Sequence, residues 1–203
     1  MVKLLPLVLS VSMGSASADS CAGSVADQSG SPCSYCSAPA GRVPSSLGDV
    51  AVAGCALCGL ARHLERPRIN EEARLIWLPE MSQAALNVVV RRIHSGLRRL
   101  GERLETEARP SLAVGERTLL YHGQQALLDR AREAKVRLGT SDPAELADAL
   151  LRLSGAAFAR CDALLGGVRM LPMGRLFEGS DDVYPAIVDS WRQTAGRPAK
   201  GTM

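Results

Sequence analysis

The chain has 203 residues, enough for one domain or for a small metal-bound module joined to a helical one. Its net charge of +3 is too mild for a dedicated nucleic-acid surface, although 21 of the 24 basic residues are arginine. Aromatic residues make up 3% against 46% hydrophobic, so the core must be built from Leu, Val, Ala and Met.

The N-terminus supports two readings. Lys3, an apolar stretch from Leu4 to Met13 and then Ala16-Ser17-Ala18 have the outline of a secretory signal, residues 1–18. Export would carry the cysteines into an oxidising space and favour disulfides over metal. Against this, Pro6, Ser10 and Ser12 weaken the stretch as a signal core. Leu7, Leu9, Val11 and Met13 fall on one side and Ser10 and Ser12 on the other, as in a half-buried strand. A strand opening the domain is the favoured expectation, with export as the alternative. No segment approaches the roughly twenty unbroken apolar residues of a membrane span.

Residues 15–54 are rich in Ser, Gly, Ala and Asp and cannot bury a core of their own. They lead into Cys33-Ser-Tyr-Cys36 and, eighteen residues on, Cys55-Ala-Leu-Cys58. Each Cys-x-x-Cys turn brings two thiolates within chelating reach, and four sulfurs complete a tetrahedral Zn²⁺ site with no open position. Such a site holds a fold together rather than doing chemistry. Disulfides or scattered thiols remain the alternative if the chain is exported. Cys21 is a spare ligand or an unpaired thiol. The intervening residues 37–54 contain Pro39, Gly41, Pro44 and Gly48 and read as a loop, with at most a short strand at Val50-Ala51-Val52.

After Cys58, Arg74-Leu75-Ile76-Trp77-Leu78 is a short apolar run closed by Pro79 and reads as a strand. Ser82 is an N-cap for a long helix to about Ala108. Its apolar positions Leu86, Val90, Ile93, Leu97, Leu100 and Leu104 form one narrow stripe, with Arg91, Arg92, Arg98, Arg99 and Arg103 largely off it. A second helix is expected from about Leu112 to Leu138, stopped by Gly139. Ser141-Asp142-Pro143 starts a third, about Ala144 to Leu153, with a capping side chain before Pro143. A fourth spans about Gly155 to Leu165 and ends at Gly166-Gly167. A last short helix is read over Asp181 to Trp191.

Candidate catalytic parts are few. His63, five residues after Cys58, is a possible ligand, but a satisfied imidazole is the simpler reading. His94 and His122 read as helix-face residues. No Gly-rich phosphate loop and no His-Glu-x-x-His run is present. Glu71-Glu72 and Asp181-Asp182 are adjacent pairs whose side chains diverge, and Cys161 reads as a small buried apolar residue. Zinc-bearing His-Asn-His nucleases also hold their ββα unit with two Cys-x-x-Cys pairs. Between Cys36 and Cys55, however, this chain has neither the histidine nor the asparagine of that chemistry. No enzyme is expected.

The run Leu75-Ile76-Trp77-Leu78-Pro79-Glu80-Met81-Ser82-Gln83-Ala84-Ala85-Leu86-Asn87, directly after the cysteine pairs, resembles the signature of the IcmJ/DotN family of Dot/Icm (type IVB) secretion and related conjugation systems. The resemblance covers about residues 33–95. It implies a cytoplasmic, zinc-containing, non-catalytic subunit related to His-Asn-His nucleases. Such subunits join a coupling complex at the inner membrane by binding the C-terminal extension of its coupling ATPase. It carries Cys33, Cys36, Cys55 and Cys58 over as zinc ligands. The expected fold is α+β, mostly α. It has an N-terminal strand and four-cysteine zinc module over residues 1–80, a helical domain over 81–194 and a disordered tail over 195–203. An exposed groove near Trp77, Leu78, Pro79, Gln83 and Asn87 is the expected partner site, used in helix-in-groove fashion.

Overall fold

The computed structural model describes residues 4–11, 32–38, 43, 52–105, 115–158 and 160–195. The fold mixes helices with small sheets, and about half of the described residues are helical. Its centre is a two-stranded antiparallel sheet, β1 (Ala73–Trp77) against β2 (Val168–Pro172), in the register Ala73↔Pro172, Leu75↔Met170 and Trp77↔Val168. Leu75 and Ile76 point to opposite faces of β1 and both are fully buried, so the strand is apolar on both sides and does not alternate. Its outer edge is not left open. The N–H of Leu75 donates to Ser141 O at 2.8 Å and that of Trp77 to Arg130 O at 3.2 Å, so backbone donors that would recruit another strand are satisfied within the chain.

Helices surround this ribbon. α1 (Ala56–Arg62) and α2 (Ile69–Glu72) precede β1, and α3 (Gln83–Arg99) follows it. Ser82 caps α3, its hydroxyl accepting from Ala85 N–H at 3.2 Å. Leu86, Val90, Ile93 and Leu97 form the buried stripe. α3 stops at Arg99, short of the expected 108. Gly101 sits at φ 73, where a Cβ is disfavoured. The N–H of Glu102 returns to Leu97 O at 2.9 Å and that of Gly101 to Arg98 O at 3.2 Å. This paired return is a Schellman ending, and Leu104 reaches the core from beyond it.

The expected second helix is two, α4 (Glu116–Asp129) and α5 (Ala131–Leu138), broken at Arg130. The break presents the Arg130 carbonyl to the edge of β1. Leu119 on α4 and Val136 on α5 are exposed although apolar. Gly139 stops α5 at φ 82 as expected. α6 (Pro143–Leu151) begins with Pro143 in its first turn, but the Asp142 side chain does not cap it. That carboxylate pairs with Arg74, and Asn70 Oδ1 accepts from Ala144 N–H instead, at 3.0 Å. The fourth helix divides into α7 (Gly155–Phe158) and α8 (Cys161–Leu164). β2 and the small hairpin β3 (Phe177–Glu178) with β4 (Asp181–Asp182) were not foreseen; α9 (Tyr184–Ala195) follows them. α9 packs on α3 through Tyr184, Ile187, Val188 and Trp191, and reaches Ala195, where a tail was expected.

Leu4–Val11 is not a strand: no ladder forms. It is an irregular segment whose alternation still sorts Leu9 and Val11 into the core. Leu5 N–H donates to Ser34 O at 2.9 Å, and Ser10 N–H to Ala61 O at 3.2 Å. The boundary expected at residue 80 falls inside a joined structure. β1 and β2 pair across it, and one buried cluster runs from Leu9 to Trp191. Among the described residues no helix is long and apolar enough to cross a membrane. Val50, Ala51 and Cys21 lie outside the described residues.

Candidate metal centre

Two local structures aim four sulfurs at one point. Cys33 and Cys36 flank a tight turn in which Cys33 N–H donates to Ala38 O and Ser37 N–H to Cys33 O, both at 2.9 Å. Ser37 takes φ 53 to reverse the chain. Ser34 N–H then bonds Ala53 O at 2.8 Å, tying this turn to the stretch that enters α1. Cys55 is the extended residue just before α1, and Cys58 lies in its first turn, so one helical turn presents both sulfurs to the same side. Arg62 at the end of α1 closes the arrangement. Its guanidinium lies 5.5 Å from the Tyr35 ring centroid and donates to Tyr35 Oη at 2.6 Å.

The four Sγ atoms lie within 4.8 Å of one another. Cys36 Sγ and Cys55 Sγ are 3.7 Å apart, too far for a disulfide, whose S–S bond is about 2.05 Å. A tetrahedron with Zn–S bonds of about 2.3 Å has edges near 3.8 Å, so the spacing fits a divalent ion at the centre. Cys33, Cys55 and Cys58 are buried and Cys36 is half-buried. Four cysteines in one place therefore form a site able to hold a metal ion, closed on all sides by protein ligands.

The four sulfurs are close enough to compete with one another for hydrogen bonds. Hydrogen bonding from Cys36, Cys55 and Cys58 pushes the Cys33 thiol down, with a contribution from the Tyr35 backbone. Hydrogen bonding to Cys33 and Cys36 pushes Cys55 well up, and the same neighbours together with burial push Cys58 up. Cys33, Cys36, Cys55 and Cys58 would hold such an ion as thiolates, its positive charge favouring that form at each sulfur.

One element of the centre was missed from sequence. Asn87 Nδ2 lies 3.4 Å from Cys58 Sγ, and Asn87 Oδ1 accepts from Gln83 Nε2 at 2.9 Å. Gln83 in turn grips both backbone groups of Met170 in β2. Its Nε2 donates to Met170 O, and its Oε1 accepts from Met170 N–H, each at 2.8 Å. The signal in the sequence was two amides four apart on the face of α3 that carries Leu86 and Val90.

The same contacts correct the expected groove. Leu78, Gln83 and Asn87 are buried. Trp77 is half-buried, with the Arg137 guanidinium 4.3 Å from its ring centroid. Pro79 alone of the five is exposed. Three of the five side chains expected to face a partner are therefore inside the fold.

The other candidates are dispersed. His63 Nδ1 pairs with Glu65 at 3.1 Å and is not in the sulfur cluster. His94 is buried, its Nδ1 2.6 Å from Tyr184 Oη. His122 is exposed on α4. Cys161 is buried, its thiol directed to Ala157 O at 3.6 Å. Glu72, half of an adjacent acidic pair, is a fully buried anchor for Arg66 and Phe177. Asp182 caps the turn into α9, its Oδ1 accepting from Tyr184 N–H at 3.1 Å. Searches against protein-family models and against curated proteins find no match for the chain.

Proposed function

We propose that this protein is a non-catalytic, zinc-stabilised adaptor subunit of a type IVB secretion or conjugation coupling complex. In this reading it acts on the cytoplasmic side of the inner membrane and binds the C-terminal extension of the coupling ATPase. The observation that carries the reading is the closed four-sulfur centre built into the core. A donor set of four thiolates selects a soft or borderline ion such as Zn²⁺ and leaves no position for water or substrate. Its role is to fix the turn at residues 33–38 and helix α1 against the sheet.

Three further features support it. The run Leu75–Asn87, which resembles the IcmJ/DotN signature, is the segment that joins β1 to the centre through Gln83 and Asn87. Many arginines are committed to internal ion pairs, including Arg66 with Glu72, Arg74 with Asp142, Arg98 with Asp189 and Arg117 with Glu102, which leaves less cationic surface for phosphate. His63 is paired with Glu65 and His94 with Tyr184, which fits a structural rather than a general-base role for them.

The test has two arms. Native mass of the purified chain, with and without chelator, is expected to give about one zinc per chain and an unprocessed start. Titration with a peptide of the coupling ATPase's C-terminal extension is expected to show binding that chelation abolishes. Loss of residues 1–18 with paired disulfides overturns the reading in favour of export. Salt-dependent DNA affinity without peptide binding overturns it in favour of a nucleic-acid module.

A further inference from the structure

The sulfur centre is met from the side of α3 by a polar chain that crosses an otherwise apolar core. Asn87 and Gln83 are each 2% exposed, so their amides must be satisfied by protein groups. Their orientations follow from the neighbours. Met170 offers one donor and one acceptor, and Gln83 answers both. That fixes Nε2 of Gln83 toward Oδ1 of Asn87, and so fixes Nδ2 of Asn87 toward Cys58 Sγ. Flipping either amide sets donor against donor or acceptor against acceptor. An N–H, not a carbonyl, therefore faces the sulfur.

We propose that Asn87 is a positioning residue of the metal centre, donating its aimed amide N–H to Cys58 and stabilising that sulfur as a metal-bound thiolate, with Gln83 setting the aim from β2. This rests on the reading that the centre holds an ion. Four thiolates around a divalent cation carry excess negative charge, and in a buried site that charge must be met by fixed donors. The backbone supplies them at Cys33, from Tyr35, and at Cys36, from Ala38. Cys58 is fully buried, and Asn87 reaches it as a side-chain donor. The chain of contacts also makes the strand register of β2 part of the metal site: Met170 is in place only when β2 is paired with β1.

The test uses the full chain loaded with zinc and, separately, with cobalt(II). Asn87→Leu is expected to weaken metal affinity, read by chelator competition, by about 10–100-fold, the usual range for losing an outer-shell partner. In the cobalt form the sulfur-to-metal charge-transfer band is expected to move to lower energy, because a thiolate stripped of its donor is easier to oxidise. Asn87→Asp keeps the shape and the bond from Gln83 but turns an oxygen toward the sulfur, so a larger loss is expected. It decides the matter if Asn87→Leu does not fold. Gln83→Glu, which keeps the bond from Met170 N–H, should shift both readouts in the same direction by less. A variant that lowers thermal stability but leaves affinity and band unmoved overturns the proposal, since packing alone would do that. Wild-type protein that takes up no ion overturns the metal reading itself, an outcome distinct from variants that match a loaded wild type.

Discussion

Glu72→Ala probes how the N-terminal half is fastened to the C-terminal half. The Glu72 side chain is 0% exposed and that of Arg66 9%. Arg66 Nε donates to Oε2 at 2.7 Å and Nη2 to Oε1 at 2.8 Å. Phe177 N–H adds a third bond to Oε1 at 2.8 Å. Alanine removes all three and strands a guanidinium in the interior without its counter-charge. Breaking a buried pair from one side costs about 3–5 kcal/mol. For a chain of this size 1 kcal/mol moves Tm by about 2–4 °C, so a drop of about 6–20 °C is expected. Urea unfolding followed by the fluorescence of Trp77 and Trp191, with metal kept saturating, gives the free energy directly. The double variant Arg66→Met with Glu72→Leu removes both charges and is expected to recover most of the loss. A cost below about 1 kcal/mol for Glu72→Ala, or a double variant as unstable as the sum of its singles, would refute the buried-pair argument.

Two further outcomes follow from buried groups and from backbone. Burial holds His94 at about 3, below its usual 6.5. The unfolded chain then binds a proton that the fold excludes, so stability is full above pH 6.5 and is lost as pH falls toward 3, by about 1.4 kcal/mol per unit. Tyr184, its partner, is pushed well up by burial and stays neutral throughout. Urea titrations of wild type and His94→Gln across that window should differ in slope, and equal slopes would remove His94 as the cause. Gly174 lies at φ 83, and an added Cβ would meet Leu104 O at 2.0 Å. Gly174→Ala should cost about 1–3 kcal/mol for the left-handed backbone and a similar amount for displacing Leu104. Gly179→Ala, at φ 61 with open space around it, should cost only the first. Equal thermal shifts for the two would refute the clash.

What could be read from sequence was what is decided locally. A cysteine pair chelates through its own turn, so Cys33, Cys36, Cys55 and Cys58 announced themselves by spacing. Ser82, Gly139 and Pro143 mark helix ends because capping, left-handed φ and a missing N–H act within a few residues. The apolar run at β1 was also legible. Leu104 continues the stripe past Gly101, and only the returning N–H of Glu102 shows that the helix has ended. Asp142 looked like a cap until Arg74, distant in sequence, claimed its carboxylate. β2 was invisible because its meaning is its register with a strand nearly a hundred residues away. Gln83 and Asn87 were noticed as a pair but given to a partner. Their acceptors, Met170 and Cys58, lie far from them in sequence on either side of α3.

The pairing of Ala73 with Pro172 also sets an order of events during synthesis. The first strand leaves the ribosome long before its mate exists, and Leu75 and Ile76 must wait uncovered while the helices between them are made. A chaperone meeting the nascent chain would find its target in that interval. Any fragment ending before Val168 would leave the same edge open permanently, ready to pair with a copy of itself.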